Sequence, residues 1–306
     1  MQSTTTGKPT IHALHERSMN YGITDIAPAG ILTAVMLLPN ISAWAEMWLI
    51  AGALFFLFKW LTWSDRAPRY SCVGKRRKWA YFFGWVGMDA DEFLRPSCSV
   101  KQAHFGEWAL ALGNTLLGAV VLWGLIRRLP EDQPIEIGGL GFAGLVLFLH
   151  FGLFHLLALV WRQNGIAVEP IMRAPLLAIS LADFWGQRWN RAYRRVSFDY
   201  FFRPAVTRFG LTAGTLVAFL ASGLIHELVI SVPARAGYGR PTMYFGIQGL
   251  GILFERTAIC RWLTLRFAGC GWFYTLGFLL CPIGLLFHDS FLTRVIGPFL
   301  VVIGAR

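Results

Sequence analysis

Residues 183–190, DFWGQRWN, combine polar and aromatic side chains within a largely apolar chain. A lone histidine, His226, follows 36 positions later (226 minus 190) inside an apolar segment. Ionisable groups inside a membrane segment are costly, so each one invites a functional explanation. A neutral imidazole is the form that a general base requires, and such a base contributes about 10²–10⁴-fold to a rate. The alternative is a histidine that packs against, and bonds to, a neighbouring helix.

The residues around His226 limit what it can do. Ser222 and Gly223 precede it by about one helical turn, and their small size leaves room for a ligand or for a closely packed helix. Glu227 lies about 100° further round the helix, so it faces a neighbouring helix or a water-filled cavity. Ile230 stands where the second histidine of an H-E-x-x-H zinc motif would be, which excludes a zinc protease of that type.

The run 183–190, taken as one helix, places Asp183, Gln187 and Asn190 on one side and Trp185 and Trp189 on another. An aromatic belt at the bilayer surface explains the tryptophans. It does not explain a polar stripe in register, which suits hydrogen bonds to a substrate carbonyl or to the histidine.

Four arginines lie at or just after the end of this run. They bind substrate phosphates by charge-assisted bonds, or they are simply a cluster of positive charge at the cytoplasmic surface. These residues are Arg188, Arg191, Arg194 and Arg195.

The composition predicts an integral membrane protein. Hydrophobic residues make up 55% of the chain and charged residues 15%, with a mean hydropathy of +0.51, whereas soluble domains carry about 25% charged residues. The net charge of +11 lies in loops between apolar runs, so we expect no nucleic-acid partner. The five cysteines form no C-x-x-C pair, and we expect no metal. The polar N-terminus has no early apolar stretch, and no cleaved signal peptide is expected.

Hydropathy predicts an all-α, multi-pass transmembrane bundle of seven or eight spans, because about 20 apolar residues cross a bilayer. The apolar runs are 25–39, 41–63, 107–126, 135–161, 211–231, 241–259, 269–288 and 290–305. Loops 64–106 and 162–210 are strongly basic, whereas turns 127–134 and 232–240 are not, which predicts both long loops on the cytoplasmic side. Aromatic stretches 79–85 and 198–203 within these loops indicate interfacial helices.

Four stretches together resemble the membrane-bound O-acyltransferase superfamily, and more closely its wax synthase-like branch. They are SLADFWGQRWN (180–190), FRP (202–204), SGLIHEL (222–228) and GWVGMD (84–89). On this resemblance, residues 1–24 are a polar N-terminal segment and 25–306 one membrane-embedded acyltransferase domain with its motif core at about 175–260. One departure is YFGIQG (244–249), where plant members tend to have a histidine.

The resemblance implies a helical fold around a tunnel and transfer of a fatty acyl group from acyl-CoA to a long-chain alcohol, giving a wax ester. His226 would be the general base and Asn190 its polar partner. No cofactor is expected beyond acyl-CoA as co-substrate. The candidate substrate-binding residues are Trp185, Gln187, Arg188, Trp189, Arg191, Ser222 and Glu227.

Several alternatives stay open at this point. The acceptor hydroxyl could belong to diacylglycerol, a sterol or a secondary metabolite, and a multi-pass transporter or a non-catalytic scaffold are the non-enzymatic alternatives. Arginine outnumbering lysine favours a bacterial inner membrane, with the endoplasmic reticulum expected for a eukaryotic protein. The oligomeric state is left open.

Overall fold

The computed structural model describes residues 41–96, 99–260, 262 and 269–306. All regular structure in these ranges is helical, which confirms the all-α membrane fold class. The predicted N-terminal segment 1–24 and the first predicted span 25–39 lie outside the described residues.

Most neighbouring helices are joined by short connections; the exceptions are the two long basic loops and the segment between Glu255 and Cys270, which is only partly described. In chain order they are α1 (Ala43–Ser64), α2 (Lys75–Gly84), α3 (Ala90–Leu94), α4 (Phe105–Arg128), α5 (Pro134–Gln163), α6 (181–188), α7 (Arg191–Ala234), α8 (Arg240–Glu255), α9 (Cys270–Leu286) and α10 (Asp289–Val302). Short 3₁₀ turns at Ala67–Tyr70 and Pro175–Leu177 lie in the loops.

Four of the described helices, α1, α4, α5 and α7, are long and apolar enough to cross a membrane. Helices α9 and α10 meet at a 60° bend and count as a fifth if the pair is one span. Helix α8 has 16 residues and is therefore about 24 Å long, shorter than a hydrocarbon core of about 30 Å. The described residues thus hold four or five candidate spans. Hydropathy predicts more spans for the same residues, because it does not register breaks such as Cys281–Pro282 within an apolar run.

Helix α7 is interrupted at Gly210, whose φ of 83° and ψ of 174° are open essentially to glycine alone. The apolar span begins directly after this break, as the run 211–231 predicts. The aromatic stretch 198–203 forms part of α7 ahead of the break and is not a separate helix. The stretch 79–85, by contrast, lies mostly within the separate short helix α2.

Helices α1 and α7 run antiparallel and are tied together at both ends. At one end the Glu46 carboxylate pairs with Arg235 at 2.9 Å. At the other, Tyr200 donates a hydrogen bond to Asp65 at 2.6 Å and Arg66 pairs with Asp199 at 2.7 Å. The long loops 64–106 and 162–210 therefore meet at the same end of the helices, as their charge predicts.

A balanced network of charges, buried around Asp91 and half-buried at Arg195, holds the two long loops together at this end. Arg66 lies 2.8 Å from Asp91, and Tyr70 donates to the same carboxylate at 2.6 Å. Arg195 pairs with Asp199 at 2.6 Å and lies 3.6 Å from Asp91. Burial raises the pKa of Asp91, but the hydrogen bonds from Tyr70 and Arg66 outweigh it and hold the pKa below its ordinary value of 3.8.

Replacing Asp91 by asparagine is expected to lower stability by about 1–3 kcal/mol at neutral pH, because a buried cation loses a charged partner. A carboxyl with a lowered folded pKa stabilises the fold above its unfolded pKa, about 4, and that contribution disappears as the pH falls through the folded pKa. Thermal unfolding in detergent between pH 7 and pH 3 measures this. The difference in Tm between wild type and Asp91→Asn should shrink in acid, while the exposed Asp132→Asn control follows wild type throughout. Parallel curves for wild type and Asp91→Asn would contradict the assignment.

Helices α4 and α5 form a tight hairpin. Arg162, which is buried, contacts both carboxylate oxygens of Glu107 at 2.9 and 3.0 Å and so joins the start of α4 to the end of α5. A Cβ on Gly118 would lie 2.5 Å from the backbone nitrogen of Phe148, so only glycine permits this approach. The hairpin thus uses a small residue for close helix contact, as membrane helices commonly do.

Candidate functional site

His226 lies on α7 at the point where the helix widens into a π-helical turn, Glu227–Ser231. Its Nδ1 lies 2.7 Å from the backbone oxygen of Ser222. A carbonyl oxygen only accepts, so Nδ1 carries the proton and Nε2 keeps its lone pair. Nε2 has no hydrogen-bond partner within the described ranges. The ring also contacts Phe245 of α8, with centroids 4.4 Å apart. This tautomer is the one in which Nε2 can accept a proton.

The small residues before His226 are used for helix packing. A Cβ on Gly223 would lie 2.7 Å from the Cα of Thr242, so α7 and α8 touch there. The Ser222 hydroxyl donates to the Ala218 carbonyl at 3.0 Å. Of the two predicted uses of this space, a ligand or a close helix, the structure supports the helix at Gly223. Substrate binding by Ser222 stays a prediction.

Adding one methyl group at Gly223 is expected to separate α7 from α8, since overpacking costs about 1–3 kcal/mol. Gly246 on α8 is a matched control, because a Cβ there meets nothing within 4 Å and alanine is the better helix former by about 1 kcal/mol. Thermal unfolding should therefore show a lower Tm for Gly223→Ala and an equal or higher Tm for Gly246→Ala. Equal behaviour of the two variants would mean that the contact at Gly223 is not tight.

Two side chains cap the N-terminus of helix α6. Ser180 accepts a hydrogen bond from the Asp183 backbone nitrogen at 3.0 Å. The Glu255 carboxylate, from the last residue of α8, accepts from the backbone nitrogens of Leu181 and, at 3.1 Å, Ala182. These bonds satisfy donors that a helix N-terminus leaves free. The end of α8 therefore holds the start of the DFWG segment.

The prediction that 183–190 is one helix with two stripes is wrong at its end. Helix α6 stops at Arg188, Trp189 is extended, and Asn190 is left-handed with φ 42° and ψ 55°. Two backbone bonds cause the stop: Arg173 donates to the Arg188 carbonyl at 2.8 Å, and Arg191 donates to the Ile171 carbonyl at 2.9 Å.

Asn190 therefore does not share a helical face with Asp183 and Gln187. Asparagine is one of the few residues that accept the left-handed conformation readily. Its backbone nitrogen contacts the Met172 sulfur at 3.3 Å. The side-chain amide forms no hydrogen bond with any described part of the chain, so it is available to a ligand.

The two tryptophans both contact Phe184, but their other neighbours differ and they do not form one helical stripe. Trp189 stacks on Phe184, with centroids 5.4 Å apart and planes 14° apart. Trp185 contacts Phe219 at 5.9 Å and Phe245 at 5.5 Å. Phe245 therefore contacts both Trp185, from the 183–190 segment, and His226.

Gln248, one turn along α8 from Phe245, holds Trp185 in place. It is fully buried, accepts from the Trp185 indole nitrogen at 3.3 Å and donates to the Phe278 carbonyl at 2.6 Å. The sequence showed this residue only as a departure from the family pattern. The sequence could have identified Gln248 as a candidate site residue, since an amide within an apolar helix is as unusual as a histidine. Phe245 gave no such signal.

The predicted phosphate-binding arginines already have partners. Arg188 pairs with Asp183 at 2.6 Å and donates to the Ala174 carbonyl at 3.1 Å. Arg191 pairs with Glu169 at 3.3 Å. Substrate binding by Arg188 and Arg191 stays a prediction, and it requires phosphate oxygens to replace these contacts.

The remaining arginines at this surface have partners as well. Arg194 donates to the exposed Gln187 side chain at 3.3 Å, and Arg195 belongs to the buried network around Asp91. The predicted substrate contact of Gln187 is likewise untested and would compete with Arg194.

Glu227 faces α8 and not His226, as its angular position suggests. One carboxylate oxygen accepts from the Gly239 nitrogen at 2.9 Å, the Thr242 nitrogen at 3.1 Å and the Thr242 hydroxyl at 2.9 Å. An acidic group at a helix N-terminus is stabilising. Its other oxygen is buried and has no partner in the described part of the chain. Glu227 thus caps α8, and its predicted substrate contact would need that second oxygen.

Residues 168–247 match the family model described as "Membrane bound O-acyl transferase family". Over this segment the chain is similar to the membrane-bound O-acyltransferase superfamily. The match contains α6, Asn190 and His226, so three of the four stretches that carried the resemblance lie within it, and only GWVGMD (84–89) lies outside. The apolar helices and this family together make the chain a membrane protein.

Relatives in Arabidopsis thaliana agree with the wax synthase-like branch of this superfamily. One, a "Probable long-chain-alcohol O-fatty-acyltransferase 9", is 30% identical over 212 residues, covering 64% of this chain and 61% of the relative. Another, numbered 2 in the same series, is 35% identical over 167 residues, covering 48% and 47%. An "Acyl-CoA--sterol O-acyltransferase 1" is 27% identical over 168 residues, covering 50% and 47%. The chain thus spans about half to three fifths of the length of these relatives.

Proposed function

We propose that this protein is a membrane O-acyltransferase that moves a fatty acyl group from acyl-CoA to the hydroxyl of a long-chain alcohol, forming a wax ester. The observation that carries the proposal is the state of His226. Its Nδ1 is bonded to the Ser222 carbonyl, which leaves Nε2 as a free proton acceptor beside Phe245. The names of the long-chain-alcohol acyltransferase relatives support the choice of acceptor.

The chemistry needs one base and one oxyanion donor. His226 Nε2 takes the alcohol's proton while the oxygen attacks the thioester carbonyl and forms the new C–O bond. The tetrahedral intermediate then collapses, the C–S bond breaks, and the CoA sulfur leaves with the proton from His226. Asn190 is assigned to the developing oxyanion, because its amide has no competing bond in the described chain. Removing one such donor typically costs about 10²–10³-fold in rate.

The remaining candidates act on binding. In this proposal Trp185 and Trp189 form apolar walls for the acyl chain or the alcohol, and Arg188 and Arg191 attract the CoA phosphates from the basic loop side. Since both arginines already pair with carboxylates, they would bind phosphate by exchange. The bacterial inner membrane remains the predicted location.

A second acceptor class has its own support. The sterol acyltransferase among the relatives favours the same transfer to a sterol hydroxyl, which a hydroxyl-activating histidine would perform equally well. The sequence at 244–249, which departs from the family pattern, includes Phe245 and Gln248. These residues contact His226 and Trp185, so a difference there could change which acceptor binds.

One assay decides between these functions. Membranes containing the full chain are supplied with labelled palmitoyl-CoA and hexadecanol, diacylglycerol or cholesterol in separate reactions. We expect palmityl palmitate above the level in membranes lacking the protein. Preferred formation of cholesteryl ester would establish the sterol function. Absence of ester with every acceptor, for protein shown to be folded, would overturn the enzymatic proposal and favour a transporter or scaffold.

A further inference from the structure

A groove outside the His226 site lies between α1 and α2. Its cavity volume is about 680 Å³, within the range of about 300–1,000 Å³ typical of ligand sites. Helix α1 provides Trp48, Gly52, Phe56 and Trp60 to its walls, and α2 provides Trp79 and Phe83. No candidate catalytic or substrate-binding residue lines it.

The groove has the length of an acyl chain within one leaflet. From Trp48 to Trp60 the helix rises about 18 Å, close to half of a hydrocarbon core of about 30 Å. Gly52 lies midway, and a Cβ there would meet no atom of the described residues within 4 Å, so they leave the middle of the groove open. Trp79 and Phe83 stack at 5.2 Å and are 64% and 67% exposed, and Phe83 contacts Phe56 at 5.7 Å.

Positive charge is concentrated at one end of the groove. Residues 69–88 contain five lysines and arginines and no acidic residue. Lys78 lines the groove, and its ammonium has one long contact, 3.4 Å, to the Ser71 carbonyl. Lys75 lies three residues earlier on the same side of α2 and is exposed. Arg77, by comparison, is occupied by the Phe93 and Arg95 carbonyls.

We propose that this groove binds an anionic phospholipid, with one acyl chain along α1 between Trp48 and Trp60 and its phosphate at Lys78 and Lys75. The apolar walls select a hydrocarbon chain, and the two lysines, which pair with no carboxylate of the described residues, select a negative headgroup. The site is independent of the acyl-transfer proposal, because it uses none of the residues around His226.

The test measures which lipid contacts the groove. The full chain, with p-benzoylphenylalanine in place of Phe56, is reconstituted in vesicles of equal phosphatidylglycerol and phosphatidylcholine, irradiated and analysed by mass spectrometry. Leu116 on α4, 66% exposed, carries the same probe in a control protein. We expect adducts at position 56 to be enriched in phosphatidylglycerol relative to position 116. Lys78→Gln should reduce that enrichment about fivefold, the effect of one surface charge near anionic lipid.

A second pair of variants tests occupancy of the groove. Gly52→Trp should abolish most lipid adducts at position 56, whereas Gly113→Trp on α4, where a Cβ also meets nothing within 4 Å, should leave them unchanged. Equal headgroup ratios at positions 56 and 116 would overturn the proposal, since the groove would then show no preference for an anionic headgroup. Cross-links from position 56 to another part of the chain or to a second copy would also overturn it.

Discussion

Replacing His226 by alanine lowers the expected rate of ester formation by about 10²–10⁴-fold, the usual contribution of a general base. The imidazole Nε2 is the group free to accept the hydroxyl proton, because Nδ1 is bonded to the Ser222 carbonyl. The measurement is the initial rate with labelled palmitoyl-CoA and the preferred acceptor, in membranes that contain equal amounts of folded protein.

Two further variants separate chemistry from packing. His226→Gln keeps a polar side chain of similar length but no basic nitrogen, so it should be as inactive as His226→Ala. His104 is an exposed histidine at the start of α4, and His104→Gln should retain near wild-type activity. Wild-type rates in His226→Ala, in protein with an unchanged Tm, would remove the histidine from the mechanism.

Replacing Asn190 is the second large expected effect, and here the backbone must be separated from the side chain. Asn190 has a φ of 42°, and forcing alanine into the left-handed region costs about 1–2 kcal/mol. Glycine adopts this conformation freely. Asn190→Ala should therefore lose both stability and activity, whereas Asn190→Gly should keep its Tm and still lose about 10²–10³-fold in rate with the oxyanion donor.

The glycine variant is the decisive one. If Asn190→Gly has the wild-type rate, asparagine is present only because its backbone accepts the turn between α6 and α7, and the oxyanion assignment is wrong. If Asn190→Gly is slow but as stable as wild type, the amide group itself acts in the reaction. Initial rates and thermal unfolding on the same preparations give both answers.

Hydropathy located the long helices closely. The runs 41–63, 107–126 and 135–161 correspond to Ala43–Ser64, Phe105–Arg128 and Pro134–Gln163. This works because lipid selects apolar side chains along the whole length of a span. The end of α6 was not predictable in the same way. It depends on backbone bonds to Ile171 and Arg173, which leave no periodic pattern in the side chains.

The site was predictable where a polar residue stands out against an apolar background. His226 was found by that contrast, and Gln248 has the same contrast. Phe245 has none, because a phenylalanine in an apolar helix is ordinary, although it contacts both His226 and Trp185. The capping roles of Glu227 and Glu255 depend on which helix starts lie beside them, and that information is purely three-dimensional.

These two glutamates make α8 a spacer of fixed length. The Glu227 carboxylate holds the first turn of α8, and the carboxylate of Glu255, the last residue of α8, holds the start of α6. One inserted or deleted residue within α8 would shift its far end by about 1.5 Å and rotate it by about 100°, so both attachments could not be kept. Homologous chains that share this arrangement should therefore vary in the sequence of α8 but not in the number of residues between the two attached positions, Thr242 and Glu255, which are 13 positions apart here (255 minus 242).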